Sequence, residues 1–84
     1  MSSHARSSFS TRDGEANELA RHRRPGIWNN HVLGGFKYEQ IKSVDVGGGI
    51  VGLILHSTTL YGQPEVETCR VHPDGRVQWG AAVE

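Results

Sequence analysis

The sequence contains a single cysteine, Cys69, so no disulfide bond can form within the chain. Aromatic side chains are also scarce, with two each of Trp, Tyr and Phe among 84 residues. No uninterrupted apolar run approaches the roughly 18 residues that a membrane-spanning helix requires. The amino terminus lacks the apolar segment that is typical of a secretory signal. We therefore expect a cytoplasmic protein that does not associate with membranes.

The chain lacks an excess of either charge sign, and its formal net charge is zero, because nine Lys and Arg residues balance nine Asp and Glu residues. The charges are unevenly distributed, however. Residues 1–26 contain five Arg and three acidic side chains, whereas residues 27–84 contain four basic and six acidic ones. This shift predicts a polar basic arm over residues 1–26, followed by a small β-rich domain over residues 27–84.

The arm has the pattern of one short helix, from about residue 13 to residue 23. Its acidic side chains come early and its basic ones late, which suits the helix dipole, and Pro25-Gly26 is a stop signal. Its apolar stripe consists of Ala16, Leu19 and Ala20 and is thin. A helix of fewer than about 12 residues is marginal alone, so we expect this one to be ordered against another surface.

Short β-rich runs bounded by Gly and Pro fill the rest of the chain, and residues 50–55 form its only continuous apolar run. This pattern predicts four or five antiparallel strands, arranged as an open meander or a partly closed barrel. Asn29-Asn30-His31 predicts a turn, and an irregularity is expected at Gln40-Ile41.

Pro73-Asp74-Gly75 is the best-specified turn, because its residues suit a three-residue hairpin loop with a bulge at the glycine. This loop sets a register in which Cys69 faces Trp79 and Val71 faces Val77. Glu65 and Glu67 then fall on the apolar side of their strand. A bulge near Thr68, or an edge position for the strand, would accommodate them.

The segment Gly47-Gly48-Gly49-Ile50-Val51-Gly52-Leu53 matches G-x-G-x-x-G and resembles the openings of flavin-binding Rossmann domains. The resemblance implies a pyrophosphate at a helix amino terminus, with Glu65 or Glu67 binding a ribose. The alternative is a glycine-rich hairpin. Residues 56–59 favour the hairpin, because they are poor helix formers.

Three further patterns involve histidine. Cys69-x-x-His72 has the spacing of a metal pair, but residues three apart in a strand point to opposite faces. His56 and Cys69 could form a base and nucleophile pair, although no third orienting group can be named. The polar stretch that begins at His56 predicts either a strand leaving the core or an exposed edge that accepts another chain's strand. We predict no metal, no cofactor and no catalytic residue.

A folded part of fewer than 60 residues buries only about 60% of the surface that its unfolded chain exposes, so it is only marginally stable on its own. Without disulfides, we expect the additional stabilisation to come from self-association or from a protein partner. We therefore predict a non-catalytic interaction or assembly module, either a homo-oligomer or a small subunit of a larger complex. The residues expected to contact the partner are Arg21, Arg23, Arg24 and Trp28.

The alternative is a small nucleic-acid-binding protein. It would use the basic cluster of residues 21–24 on phosphates and the aromatic side chains of Trp28, Phe36 and Tyr38 for base stacking. A third hypothesis is a nucleotide binder that uses the glycine loop of residues 47–52.

Overall fold

The computed structural model describes residues 11–22 and 26–83, which form one helix and five strands. The elements are α1 (Thr11–Ala20), β1 (Gly26–Leu33), β2 (Phe36–Gly47), β3 (Ile50–Thr58), β4 (Pro64–Val71) and β5 (Val77–Trp79). All neighbouring strands are antiparallel, and they lie in one open sheet in the order β1-β2-β3-β4-β5. The predicted mainly-β meander is confirmed, in its open form.

Glycine pairs make the first two turns of the meander. Gly34 and Gly35 join β1 to β2 with φ angles of 59° and 86°, and Gly48 and Gly49 join β2 to β3 with 65° and 79°. Two consecutive residues with positive φ are the requirement of the type I′ turn, whose twist matches that of the flanking strands. The glycines of residues 47–49 therefore serve the hairpin, as the favoured interpretation of this segment predicted.

The β4–β5 hairpin has the predicted register. Cys69 pairs with Trp79 and Val71 with Val77, and the amide of His72 donates to the carbonyl of Arg76 at 2.8 Å. Gly75 has a φ of 93°, as the left-handed position of such a loop requires.

The core lies between α1 and one face of the sheet, which we call the front face. Ile41, Leu53, Leu55 and Cys69 project from it and are fully buried. Ala16, Leu19 and Ala20 of α1 cover them. The helix of the expected arm is thus ordered against the chain's own sheet and contributes to the same core as the strands. It ends at Ala20 rather than near residue 23.

The turn predicted at Asn29-Asn30-His31 is wrong, because these residues lie inside β1. Pairing with β2 outweighs their turn propensity, which is a weaker local preference. Asn30 keeps a positive φ of 53°, and the ladder omits the pair that it would form with Glu39.

The register of β2 is continuous at Gln40-Ile41, where an irregularity was expected, and its register shift lies between Asp45 and Gly47. The side-chain alternation nonetheless changes close to the expected position. Tyr38 and Ile41 are three residues apart and both buried in the core, so the alternation of β2 changes between them.

No bulge occurs at Thr68, since the β3–β4 register runs continuously from Val51–Val71 to Thr58–Pro64. The edge alternative is confirmed instead. β5 pairs only with residues 69–71 of β4. Within the part of the chain that the structure describes, the first half of β4 has no strand on its outer side.

The hypothesis that residues 56–59 form a sheet edge holds only for the end of β3. His56 pairs with Gln40 of β2, whereas Ser57 and Thr58 pair with β4 and, among the described residues, have no strand partner on the β2 side. Among the described residues, no helix is long and apolar enough to cross a membrane.

Candidate interaction site

Arg12, in the first turn of α1, joins the helix to the front face of the sheet. Its guanidinium forms an ion pair with Glu67 and donates a hydrogen bond to the hydroxyl of Tyr38 at 2.5 Å. The Tyr38 hydroxyl donates in turn to Glu67 at 3.3 Å. The guanidinium carbon also lies 3.9 Å from the centroid of the Trp79 ring, the geometry of a cation–π contact.

The pKa values of Arg12 and Tyr38 are both raised, away from the neutral range. Burial alone would lower the pKa of Arg12, but its hydrogen bonds to Glu67 and Tyr38 outweigh burial and raise it. Burial raises the pKa of Tyr38, against the opposing effect of Arg12. Both side chains therefore stay protonated near neutral pH, which suits a structural contact and gives neither group the pKa of a general base.

Three more polar contacts hold α1 in place. The indole nitrogen of Trp79 donates to Asp13 at 2.6 Å, and the amide of Gly34 donates to Glu15 at 2.8 Å. Asn17 donates to the carbonyl of Gly75 at 2.7 Å. The helix is thus tied to two turns of the sheet and to β5 by polar contacts, in addition to its few apolar side chains.

A cleft of about 550 Å³ opens where β2 stops pairing with β3, and we call it the sheet-end cleft. The pairing ends at Gln40–His56, so the two strands diverge beyond that point. The lining residues are Arg12, Phe36, Lys37, Tyr38, Ser57, Thr58, Glu65, Val66 and Glu67. The walls of the cleft contain polar and apolar side chains, and they include both positively and negatively charged groups.

The β3–β4 loop at the same end of the sheet presents two apolar side chains to solvent. Leu60 is 100% exposed and Tyr61 is 91% exposed. The loop is nevertheless ordered by hydrogen bonds. Thr59 exchanges backbone bonds with Gln63 and Gly62 at 2.9 and 3.0 Å, and its hydroxyl accepts from the amides of Tyr61 and Gln63.

The structure describes two of the four residues that are predicted to bind a partner. Arg21 is exposed just after α1 and borders a separate cleft of about 200 Å³. Trp28 is half-buried and packs against the core. Arg23 and Arg24 lie outside the described residues.

The three aromatic side chains of the nucleic-acid hypothesis are not presented together. Phe36 is 60% exposed, whereas Tyr38 is only 5% exposed and its hydroxyl is engaged by Arg12. Base stacking needs exposed ring faces. Tyr38 does not offer one, and Trp28 is half-buried.

The Rossmann resemblance of residues 47–53 is wrong, because the segment forms a hairpin turn and enters strand β3. Gly52 is buried inside that strand. The helix amino terminus on which this motif holds a pyrophosphate is replaced by a β-strand.

The histidine patterns do not assemble either. Cys69 lies on the front face, whereas His56 pairs with Val66 on the other face, with the sheet between them. Burial raises the pKa of the Cys69 thiol to about 12, the opposite of what a nucleophile needs. His72 contacts Gln78 at 3.1 Å. Within residues 11–22 and 26–83, no three His, Cys, Asp or Glu side chains are grouped to hold a metal ion.

Sequence analysis did not identify Arg12 or the loop of Leu60 and Tyr61 as parts of a site, and it considered Tyr38 only for base stacking. One signal was present, since a carboxylate such as Glu67 on the apolar side of its strand favours a nearby partner of opposite charge. That partner is Arg12, 55 positions earlier in the sequence. Local sequence patterns do not indicate which residues so far apart will pair. Comparison of the chain with protein-family models, curated proteins and solved structures gives no match.

Proposed function

We propose that this chain is a non-catalytic assembly module that associates with a second copy of itself at one end of its sheet. The surface involved, which we call the sheet-end surface, consists of Phe36, Lys37, Leu60, Tyr61 and Glu65. The observation that carries the proposal is the full exposure of Leu60 and Tyr61 on a hydrogen-bonded loop.

Large side chains held out from an ordered loop are suited to protein contact. Tyr supplies a large amphipathic area at low conformational cost, and it is enriched among residues that dominate binding energies. Because the Thr59 hydrogen bonds already order the loop, less conformational entropy is lost on association. Phe36, which lines the neighbouring cleft and is 60% exposed, extends the apolar surface.

The charges on this surface favour a second copy as the partner. Lys37 stands on the β2 wall of the sheet-end cleft and Glu65 on the β4 wall, and both are exposed. In a two-fold dimer the same surface meets itself, so a residue on one side contacts a different residue on the other. Lys37 of each copy can then face Glu65 of the other, which makes the surface electrostatically self-complementary.

Sedimentation velocity across a wide range of protein concentrations tests self-association. We expect a reversible dimer that the double variant Leu60→Ser, Tyr61→Ser weakens by at least tenfold. The matched control is Ile27→Ser, which removes another exposed apolar side chain, 56% accessible on β1, and should leave dimerisation unchanged. A chain that stays monomeric up to millimolar concentration contradicts the proposal and leaves the heteromeric form of the prediction.

A charge exchange tests the two-fold arrangement. Lys37→Glu and Glu65→Lys should each weaken the dimer, because each places like charges opposite one another. The combined variant restores opposite charges and should recover most of the wild-type dissociation constant. If the double variant is as weak as the single ones, the Lys37–Glu65 contact does not exist.

A further inference from the structure

Besides the outer sides of β1 and β5, the first half of β4 leaves an uncovered strand edge among the described residues. β5 pairs with β4 only at residues 69–71 and then departs at Gly80, which has a φ of 79°. The amide of Gly80 donates to the carbonyl of Thr68 at 2.8 Å. Among the described residues, no backbone partner occupies the outer side of β4 before Thr68.

The direction of that Thr68 bond shows which backbone groups are offered. Since the Thr68 carbonyl points outward, the backbone groups of residues two positions away point the same way. Val66 therefore presents both its N–H and its C=O to the uncovered side. Pro64 presents a carbonyl alone, because proline has no N–H.

A cavity lies beside this edge on each face of the sheet. The sheet-end cleft is bordered by Glu65 and Glu67. On the opposite face, which we call the back face, a cavity of about 400 Å³ is lined by Ile54, Val66, Thr68, Ala82 and Val83. Val66 borders both cavities. An extended chain beside β4 would therefore place alternate side chains near one cavity and then the other.

We propose that the outer edge of β4 accepts an extended segment of a partner protein with a basic–apolar–basic sequence, which adds a strand to the sheet. The apolar side chain, opposite Val66, enters the back-face cavity. One basic side chain lies opposite Glu65, and the other lies opposite Glu67, which Arg12 also contacts. In this mode the main-chain bonds supply affinity and the alternating pockets supply specificity. The inference goes beyond self-association, because it uses the strand edge and a different partner.

Charge argues against a second copy of β4 as the added strand. An antiparallel pair of two β4 edges centred on Val66 would set Glu65 of one chain against Glu67 of the other. Like charges directly opposite each other in a sheet are destabilising. Charged side chains and proline on an edge are the means by which sheets avoid pairing with themselves.

Fluorescence anisotropy with labelled nonapeptides tests the proposal. The probe alternates lysine and valine, and two controls are a peptide that alternates glutamate and valine and a block peptide with the probe's composition. We expect the alternating lysine–valine peptide to bind at least tenfold more tightly than either control. Equal affinity for the block peptide would show attraction by charge alone and would overturn strand addition, as would no binding at millimolar peptide.

The variant Val66→Pro locates the binding site. It removes the outward N–H without removing a β3–β4 hydrogen bond, because proline is tolerated where the N–H faces solvent. Val66→Thr is the matched control, since it keeps the N–H and the side-chain shape. We expect Val66→Pro to weaken peptide binding at least tenfold and Val66→Thr less than threefold, with urea unfolding showing that both fold. Wild-type affinity in Val66→Pro would overturn the assignment to β4.

A charge reversal tests the proposed sequence of the partner. Glu65→Lys should weaken the lysine–valine peptide and strengthen the glutamate–valine peptide. Glu18→Lys, at an exposed position of α1, should change neither. Peptide binding that persists in the Leu60→Ser, Tyr61→Ser variant separates this inference from the proposed dimer, and equal responses to Glu65→Lys and Glu18→Lys would overturn it.

Discussion

The two faces of this sheet come from the same strands but are buried to different extents. On the front face, Leu53 and Leu55 of β3 are fully buried beneath α1. On the back face, Ile54 between them is only half-buried, and the neighbouring Val66 is 56% exposed. One ten-residue helix is enough to cover only one side of five strands.

The back face has a different cover, made by the last residues of the described chain. After β5 the chain turns at Gly80, and the Thr68 hydroxyl and the Arg70 side chain donate to the carbonyls of Ala81 and Ala82 at 2.7 and 2.6 Å. Val83 is then buried against Gly52. The comparison teaches that the front face supplies most of the core, while the back face and the sheet end leave apolar side chains exposed.

Substitution of adjacent residues in β3 tests this difference most directly. Leu53→Ala removes a fully buried side chain from the front face and should lower the free energy of unfolding by about 3 to 4 kcal/mol. Ile54→Ala removes a side chain of the same size from the back face and should cost only about 1 to 2 kcal/mol. Urea unfolding of the two variants measures both values. Equal losses would mean that the back face is as well packed as the front.

Gly52→Ala tests how firmly the terminal segment covers the back face. An added β-carbon would overlap sterically with Val83 Cγ1 and would lie 3.0 Å from Val46 Cγ2. Overpacking of this kind should cost about 2 kcal/mol. Val83→Ala makes room for the new methyl group, so the double variant should lose less than the sum of the two single losses. Strict additivity in urea unfolding would show that Val83 does not rest on Gly52.

Arg12→Ala tests the polar attachment of α1 to the front face. The variant loses the ion pair with Glu67, the hydrogen bond to Tyr38 and the contact with Trp79. Because the ion pair is partly exposed to solvent, the expected loss of unfolding free energy is about 1 to 2 kcal/mol. Arg21→Ala, at an exposed position beyond the helix, is the control and should stay within about 0.5 kcal/mol. Similar losses in both variants would contradict a specific role for Arg12.

The parts of the fold that the sequence predicts are those that depend on neighbouring residues. Gly47-Gly48-Gly49 and Pro73-Asp74-Gly75 specify turns through their backbone preferences, and these turns fix the strands and their register. The segment Asn29-Asn30-His31 shows the limit of this reasoning, because a turn-forming composition is drawn into β1 by pairing with β2.

The candidate site was less predictable, since its contacts join distant parts of the chain. The helix appeared too poor in apolar residues to pack on its own protein, yet Arg12, Asp13 and Glu15 each find a partner on the sheet. From the sequence, Asp13 and Glu15 are explained by the helix dipole alone, and Arg12 has no assigned role. A polar residue near a helix start can act on the dipole or on a distant strand, and only the tertiary structure distinguishes the two.

The prediction with the smallest expected effect on stability at neutral pH concerns Cys69. The reactivity of its thiol measures whether α1 closes the front face to solvent. The side chain is 0% exposed, and burial raises its pKa from 9.0 to about 12. Since the thiolate is the reactive form, the native thiol should react with Ellman's reagent at pH 8 roughly a thousandfold more slowly than the thiol of the urea-unfolded chain, or only through opening of the structure.

The same pKa shift predicts a loss of stability in alkali. The unfolded chain releases the thiol proton at lower pH than the native chain, so this contribution is fully present below pH 9 and is lost as the pH rises toward about 12. Cys69→Val removes the titrating group and should flatten the alkaline fall in urea midpoint. Rapid reaction of the native thiol at pH 8 would show that α1 does not close the front face, and the difference between the two faces would then disappear.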